Sequence, residues 1–241
     1  MQLVLPLTIA PRYTFDSLVV HEGIDAALST LRTVLASGER PLPHILLHGP
    51  AGTGKTHILN AVAVSLEQQS SAGASVNVIA CADEPARYPG LEELISSEDA
   101  VESLTAVIVD DIHLMDSEAA ALLWTLSNKL TRTGAPLLMG SRLAPKELFT
   151  DDPHLRSRIV SGLVLELQPP EDPVRMLILD KMARDKNVRI SREVAGYLVT
   201  RKSRNVRELE KLVEILDRTS LQLKRRITVP LIKMLEKEGA L

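Results

Sequence analysis

Short apolar runs that end in polar or acidic residues alternate, over the first two thirds of the chain, with longer stretches of helical periodicity. Strands are predicted over 44–48, 76–80, 105–110, 136–141 and 163–167. Helices are predicted over 23–37, 55–69, 117–132 and 145–150, with a looser one near 91–97. This alternation is the pattern of an α/β fold, in which a parallel five-stranded sheet is covered by helices on both faces. Gln68 to Ser75, rich in Ser, Ala and Gly, reads as a helix exit and loop. No internal repeat or low-complexity tract interrupts the pattern.

The periodicity changes after Gln168-Pro169-Pro170, where strands cease and three or four helices follow. Asp172 before Pro173 reads as an N-cap ahead of a proline at the first helical position, where the missing N–H costs nothing. Ser191 and Thr228 read as further N-caps, and Asn205 with Glu208 as a capping box. Val206, Leu209, Leu212, Val213 and Leu216 then form one apolar stripe. The expected organisation is an N-terminal peptide over 1–13, an α/β core over 14–168 and a small all-helical domain over 169–241 that could serve as a lid.

Composition narrows the classes. With 241 residues, 45% hydrophobic and 24% charged, the chain can bury a sizeable core. No apolar run approaches the ~18 residues that a membrane span needs, and the N-terminus lacks a basic region followed by a long apolar segment, so a soluble, cytoplasmic protein is expected. The single cysteine, Cys81, excludes an internal disulfide, and six scattered histidines have no metal-ligand spacing, so no zinc site is expected. A net charge of −3 argues against electrostatic coating of DNA, and 2% aromatics are too few for base-stacking platforms.

The candidate chemistry lies in two motifs. Gly49-Pro50-Ala51-Gly52-Thr53-Gly54-Lys55-Thr56 fits G-x-x-x-x-G-K-T, and it stands between the apolar run Ile45-Leu46-Leu47 and a helical pattern that begins with His57-Ile58-Leu59. In such a loop the backbone N–H groups of Pro50 to His57, Pro50 itself excepted, surround phosphates. Lys55 reaches the β and γ oxygens, and the Thr56 hydroxyl joins the Mg²⁺ shell. The expected ligand is ATP or ADP with Mg²⁺. The second motif, Leu104 to Asp111, is an apolar strand delivering two adjacent carboxylates: Asp110 to hold Mg²⁺ through its water shell, Asp111 to polarise an attacking water.

The runs H-G-P-A-G-T-G-K-T-H-I-L-N-A and V-I-V-D-D-I-H-L together resemble the AAA+ core of the DnaA family, and the resemblance covers nearly the whole chain. It implies an AAA+ P-loop core followed by a helical lid. Thr14-Phe15-Asp16-Ser17-Leu18-Val19-Val20 resembles the segment that lines the adenine pocket in this family. Leu137 to Arg142 resembles its fourth strand, with Ser141 at the sensor 1 position where relatives usually carry Asp. Arg158, in Leu155-Arg156-Ser157-Arg158-Ile159, aligns with the family's arginine finger, and Arg207 with sensor 2. A plainer reading pairs Arg156 or Arg158 with Asp151 and Asp152, and Arg207 with Glu210.

The first residues, Gln2-Leu3-Val4-Leu5-Pro6-Leu7, resemble the hexapeptide by which proteins bind the sliding clamp of the replicative polymerase. Leu3, Leu5 and Leu7 would share one face of an extended peptide while Gln2 bonds at the groove rim. No helix-turn-helix pattern follows the lid, so sequence-specific DNA binding is not expected, although residues 201–241 hold 11 Lys/Arg against 6 Asp/Glu. Clamp peptide, DnaA-like core and lid resemble the Hda-type regulators of this family. Their layout implies the DnaA initiator and the clamp as partners, an arginine finger donated across an interface, and possible homo-oligomers. A helicase loader of the DnaC type, a self-contained ATPase and a P-loop kinase are the other readings.

Overall fold

The computed structural model describes residues 13–37, 44–69, 75–81, 89–97, 101, 104–149, 152–203 and 205–238. The chain divides into two compact units, Met1–Gln168 and Pro169–Leu241.

In the first unit α1 (Glu22–Ala36) precedes β1 (Ile45–His48), α2 (Lys55–Gln69), β2 (Ser75–Ala80), α3 (Pro89–Ser96) and β3 (Leu104–Asp110). Then come α4 (Ser117–Thr133), β4 (Leu137–Ser141), α5 (Pro153–Val160) and β5 (Leu163–Glu166). The five strands form one parallel sheet in the order β2-β3-β4-β1-β5. Strand alternation splits their side chains between two layers. Leu46, Val107, Val109, Leu137 and Met139 pack with Leu123, Leu126 and Leu130 of α4 and with Leu155 and Ile159 of α5. Ile45, Leu47, Ala106, Ile108 and Leu138 pack on the other face with Leu28 and Leu31 of α1 and Ile58, Leu59 and Val62 of α2. Burial on both faces explains why these strands read as apolar runs.

This arrangement puts β1 at a switch point. Its crossover through α2 passes β4 and β3 to reach β2, while β5 lies on its other side. In open parallel sheets, ligand crevices form at the strand C-termini where the order reverses.

Two expectations for this unit need correction. The helix predicted over 145–150 is a single 3₁₀ turn, Pro145–Glu147. Leu148 is extended and buried in the core, and Phe149 takes φ 46°, so core packing pulls the chain out after one turn. A helix not predicted, α5, starts at Asp152, whose carboxylate accepts the Leu155 N–H at 2.9 Å, with Pro153 as first helical residue.

The second unit holds α6 (Asp172–Asp185), α7 (Arg192–Arg201), α8 (Val206–Leu223) and α9 (Val229–Lys237). Leu179, Leu198, Leu209, Val213, Leu216, Leu231 and Ile232 close its core, so the stripe on α8 faces inward. Ser191 caps α7 through the Val194 N–H and Thr228 caps α9 through that of Leu231. Asp172 is not the cap of α6: the boundary residue is Glu171, and Asp172 lies inside the first turn, where it pairs with Arg175. Glu208 is recruited by Ser203 rather than by the Asn205 backbone. The Asn205 N–H goes to Ser203 Oγ at 2.9 Å, and that hydroxyl donates to Glu208 Oε2 at 2.5 Å. One hydroxyl thereby satisfies both groups that a capping box would have paired.

Candidate functional site

The loop after β1 turns tightly because its glycines permit it. Gly49 has φ 145°, and a β-carbon there would meet Leu167 O at 2.1 Å; Gly54, with φ 96°, leads into α2. The first N–H groups of a helix have no internal acceptor, so the start of α2 presents donors toward the loop.

Lys55 is buried, and its ammonium lies within the loop, 2.6 Å from Gly49 O, 2.8 Å from Pro50 O and 3.2 Å from Thr53 Oγ1. Thr53 Oγ1 in turn donates to Pro50 O at 3.1 Å. A buried ammonium set among loop carbonyls and beside the N-terminal N–H groups of α2 gives the loop a positive focus that suits an anion.

The two motifs meet at Thr56. Its hydroxyl donates to Asp110 Oδ2 at 2.5 Å, while Asp110 Oδ1 accepts the Asp111 N–H at 2.8 Å. A hydroxyl and a carboxylate oxygen side by side, beside the N-terminal donors of α2, are the hard donor set that Mg²⁺ takes when phosphates complete its shell. These residues therefore fit the ion. Gly140 makes room for the carboxylate: a β-carbon there would come within 2.0 Å of Asp110 Oδ1.

Asp111 is also buried and stands in the left-handed region, φ 57° and ψ 36°, at the start of the 3₁₀ turn Ile112–Leu114. Its Oδ1 lies 3.8 Å from His113 Nδ1, which accepts the Arg142 N–H at 3.4 Å. Burial holds the His113 imidazole below its ordinary pKa; Arg142 and Lys55 add to this, and Asp111 and Asp110 oppose it. A neutral His113 thus links the end of β3 to the end of β4. Ser141, fully buried at the end of β4, closes its own turn, donating to Leu143 O at 3.0 Å and accepting from Leu143 N at 2.9 Å.

Arg158 lies on α5, half-buried against α4. Its Nη2 donates to Asn128 Oδ1 at 2.8 Å and Thr131 Oγ1 at 3.3 Å, and its guanidinium lies 5.8 Å from the Trp124 ring centre. Asp152 is engaged instead as the cap of α5. His44 shares the cluster, with Nε2 3.0 Å from Ser127 Oγ.

His57, read with the phosphate loop, has its Nε2 3.0 Å from both Thr14 O and Ser17 Oγ. Arg207 falls in the first turn of α8, and only its backbone is described. Gln2, Leu3, Leu5, Leu7 and Asp151 lie outside the described residues. Sequence reasoning passed over Gly140, Asn128, Trp124 and His113. Gly140 alone carried a local signal, as a glycine inside an apolar strand.

With this geometry, residues 9–166 match the family described as the bacterial DnaA ATPase domain. The chain belongs to that family. Residues 172–235 further match the family described as the Hda lid domain, so this is an Hda/DnaA-family AAA+ protein. Its relatives include the chromosomal replication initiator DnaA of Acinetobacter baumannii, 34% identical over 215 residues, covering 83% of this chain and 44% of the relative. The DnaA of Caldanaerobacter subterraneus is 27% identical over 214 residues, covering 84% and 47%. The chain thus spans less than half the length of these initiators.

Among solved structures, domain III of Thermotoga maritima DnaA superposes with a TM-score of 0.80 at 22% identity, over 95% of this chain and 97% of that one. AMPPCP-bound DnaA of Aquifex aeolicus gives 0.68 at 23% identity, covering 87% and 66%. The RuvB branch migration motor of Thermotoga maritima gives 0.69 at 23%, covering 95% and 73%. At these identities the likeness is one of fold, the AAA+ fold of a parallel five-stranded sheet with a helical lid. Among the described residues, no helix is long and apolar enough to cross a membrane.

Proposed function

We propose that this protein binds ATP or ADP with Mg²⁺ and regulates chromosomal replication initiation, docking on the polymerase sliding clamp and stimulating ATP hydrolysis by DnaA. The observation that carries this reading is the pairing of a DnaA-type ATPase domain with an Hda-type lid in one chain.

Phosphates in the loop would take the place of the Gly49 and Pro50 carbonyls at the Lys55 ammonium. Thr56 and Asp110 hold the ion, which neutralises phosphate charge when bound. The base lies along the Thr14–Val20 segment, whose Leu18 side chain stands 3.9 Å from where a β-carbon on Gly54 would be. Asp111 orients water; its carboxylate is one carbon shorter than the glutamate common in strongly hydrolysing AAA+ proteins, so turnover by this chain alone is slow. Arg207 is assigned the sensor 2 role by its resemblance to the family.

Arg158 acts on a neighbour. Its planar guanidinium stabilises charge on the transferring phosphoryl group of ATP held by DnaA, a contribution of ~10³ to 10⁵ in rate where such fingers are well placed. Gln2, Leu3, Leu5 and Leu7 retain the protein on the clamp. The test is ATP turnover by cognate DnaA with DNA-loaded clamp, comparing wild type, Arg158→Ala and a variant lacking residues 1–7. Stimulation that needs both features supports the proposal; an unchanged DnaA rate with the intact protein rejects it and leaves helicase loading as the next reading to examine.

A further inference from the structure

His57 is the third residue of α2, directly after Lys55 and Thr56, yet its imidazole is engaged with the segment before α1 rather than with the loop. Its Nε2 lies 3.0 Å from the Thr14 carbonyl oxygen and 3.0 Å from Ser17 Oγ. The carbonyl can only accept, so Nε2 carries the proton and donates. Ser17 Oγ gives its own hydrogen to Thr14 O at 2.9 Å and accepts the Thr14 N–H at 2.9 Å, while Ser17 N–H donates to Thr14 Oγ1 at 3.2 Å. Thr14 and Ser17 thus form a reciprocally bonded turn, and His57 bonds to the two oxygens at its centre. Tyr13 packs on the imidazole with ring centres 5.0 Å apart.

The same segment is anchored by apolar contacts on its other side. Phe15 and Leu18 pack against the core beneath α1 and α2, and the Arg32 guanidinium covers the Phe15 ring at 4.9 Å. Apolar contacts set how deep the segment sits, but they constrain its position along the helix weakly because they are non-directional. The bifurcated hydrogen bond from His57 Nε2 fixes that position, and it issues from the turn of α2 that carries the phosphate-binding residues.

We propose that His57 is a positioning residue for the nucleobase: it ties the Tyr13–Leu18 segment to the helix bearing Lys55 and Thr56, so that the base and phosphate subsites keep one spacing. The inference rests on the nucleotide reading above. It separates two parts of binding affinity: phosphate capture needs the loop alone, whereas the added affinity of the nucleoside needs the tie.

The experiment is calorimetric titration of the full chain with ADP and with inorganic tripolyphosphate, both with Mg²⁺, for wild type, His57→Ala, His57→Gln and Ser17→Ala. His57→Ala is expected to weaken ADP binding by about tenfold, as loss of a bifurcated hydrogen bond and a fixed spacing implies, with under about twofold effect on tripolyphosphate. His57→Gln, whose amide N–H reaches about as far as Nε2, should recover most of the loss. Ser17→Ala should weaken ADP in the same direction and add little to His57→Ala. Equal losses for both ligands would overturn the inference by making His57 part of the loop or of fold stability, and no loss for either would show that the segment holds without it. Wild type binding tripolyphosphate but not ADP would overturn the inference and spare the phosphate loop. Wild type binding neither would reject the nucleotide reading and this inference together. If His57→Ala fails to fold, Ser17→Ala carries the same comparison.

Discussion

Arg158 and Asn128, thirty positions apart, are joined by a hydrogen bond of 2.8 Å that runs from the guanidinium on α5 to the side-chain carbonyl on α4. An arginine that must meet a phosphate on another protein benefits from a fixed direction, because its long side chain otherwise loses rotamer freedom at the moment of contact. Asn128→Ala should therefore lower stimulation of DnaA hydrolysis by about tenfold, as a lost hydrogen bond to a charged group implies. Arg158→Ala should abolish it. The assay is DnaA turnover on loaded clamp, and a rate that rises in Asn128→Ala would mean that the bond restrains the arginine rather than aiming it.

Gly140 and Asp110 make a second prediction. A β-carbon at 140 would overlap Asp110 Oδ1 at 2.0 Å and crowd Leu59 Cδ1 at 2.9 Å, so on this buried strand the Asp110 carboxylate must give way. Gly140→Ala should push the carboxylate off Thr56 and the Asp111 N–H. Overpacking of this kind costs about 1–3 kcal/mol. Thermal unfolding should shift down, and ADP affinity in the presence of Mg²⁺ should fall more than affinity without it. Equal affinities in wild type and variant would show that Asp110 is not needed where it stands.

Asp111 allows charge to be separated from backbone shape. At φ 57° and ψ 36° an asparagine is comfortable, whereas alanine is strained by about 1 kcal/mol or more. Asp111→Asn is expected to keep the melting temperature and ADP affinity while losing what intrinsic hydrolysis the protein has. Asp111→Ala should lose hydrolysis and stability together. Unchanged turnover in Asp111→Asn would remove the carboxylate from water activation.

What the residues disclosed in advance follows from how locally each feature is specified. The phosphate loop is legible because its motif demands closely spaced glycines, a lysine and a hydroxyl between a strand and a helix, all within Gly49–Thr56. The five strands are legible because burial on both faces makes each an apolar run. The 3₁₀ turn at Pro145–Glu147 is not, since burial of Leu148 is a tertiary demand that overrides local helical pattern. Helix α5 had its signal in Asp152-Pro153, the same pair of residue types that marks α6, and there the local sign was present but passed over in favour of the arginines. Contacts such as Arg158 with Asn128, His57 with Thr14 and Gly140 with Asp110 join positions far apart in the chain, and no periodicity encodes them.

His44 gives the pH prediction, and its sign follows from the neighbours. Burial lowers the pKa of its imidazole, the Arg158 guanidinium lowers it further, and the contact with Ser127 raises it in part. The folded protein therefore binds this proton more weakly than the unfolded chain. Above pH ~6.5 both states leave the ring neutral and it contributes no pH dependence. As pH falls below that value the unfolded chain takes the proton first, so stability declines, and the decline ends once pH drops below the depressed folded value. Other groups titrate in the same range, among them His113, which burial also lowers, so the informative quantity is a difference. His44→Gln keeps a donor and acceptor for Ser127 and Thr131 but cannot titrate. The gap between the melting temperatures of wild type and His44→Gln should move against wild type as the buffer is taken from pH ~7.5 to ~5.5, because the variant lacks this group's acid-induced loss. A gap that stays constant over that range would mean that His44 is as easily protonated folded as unfolded, and that its place beside Arg158 imposes no electrostatic cost.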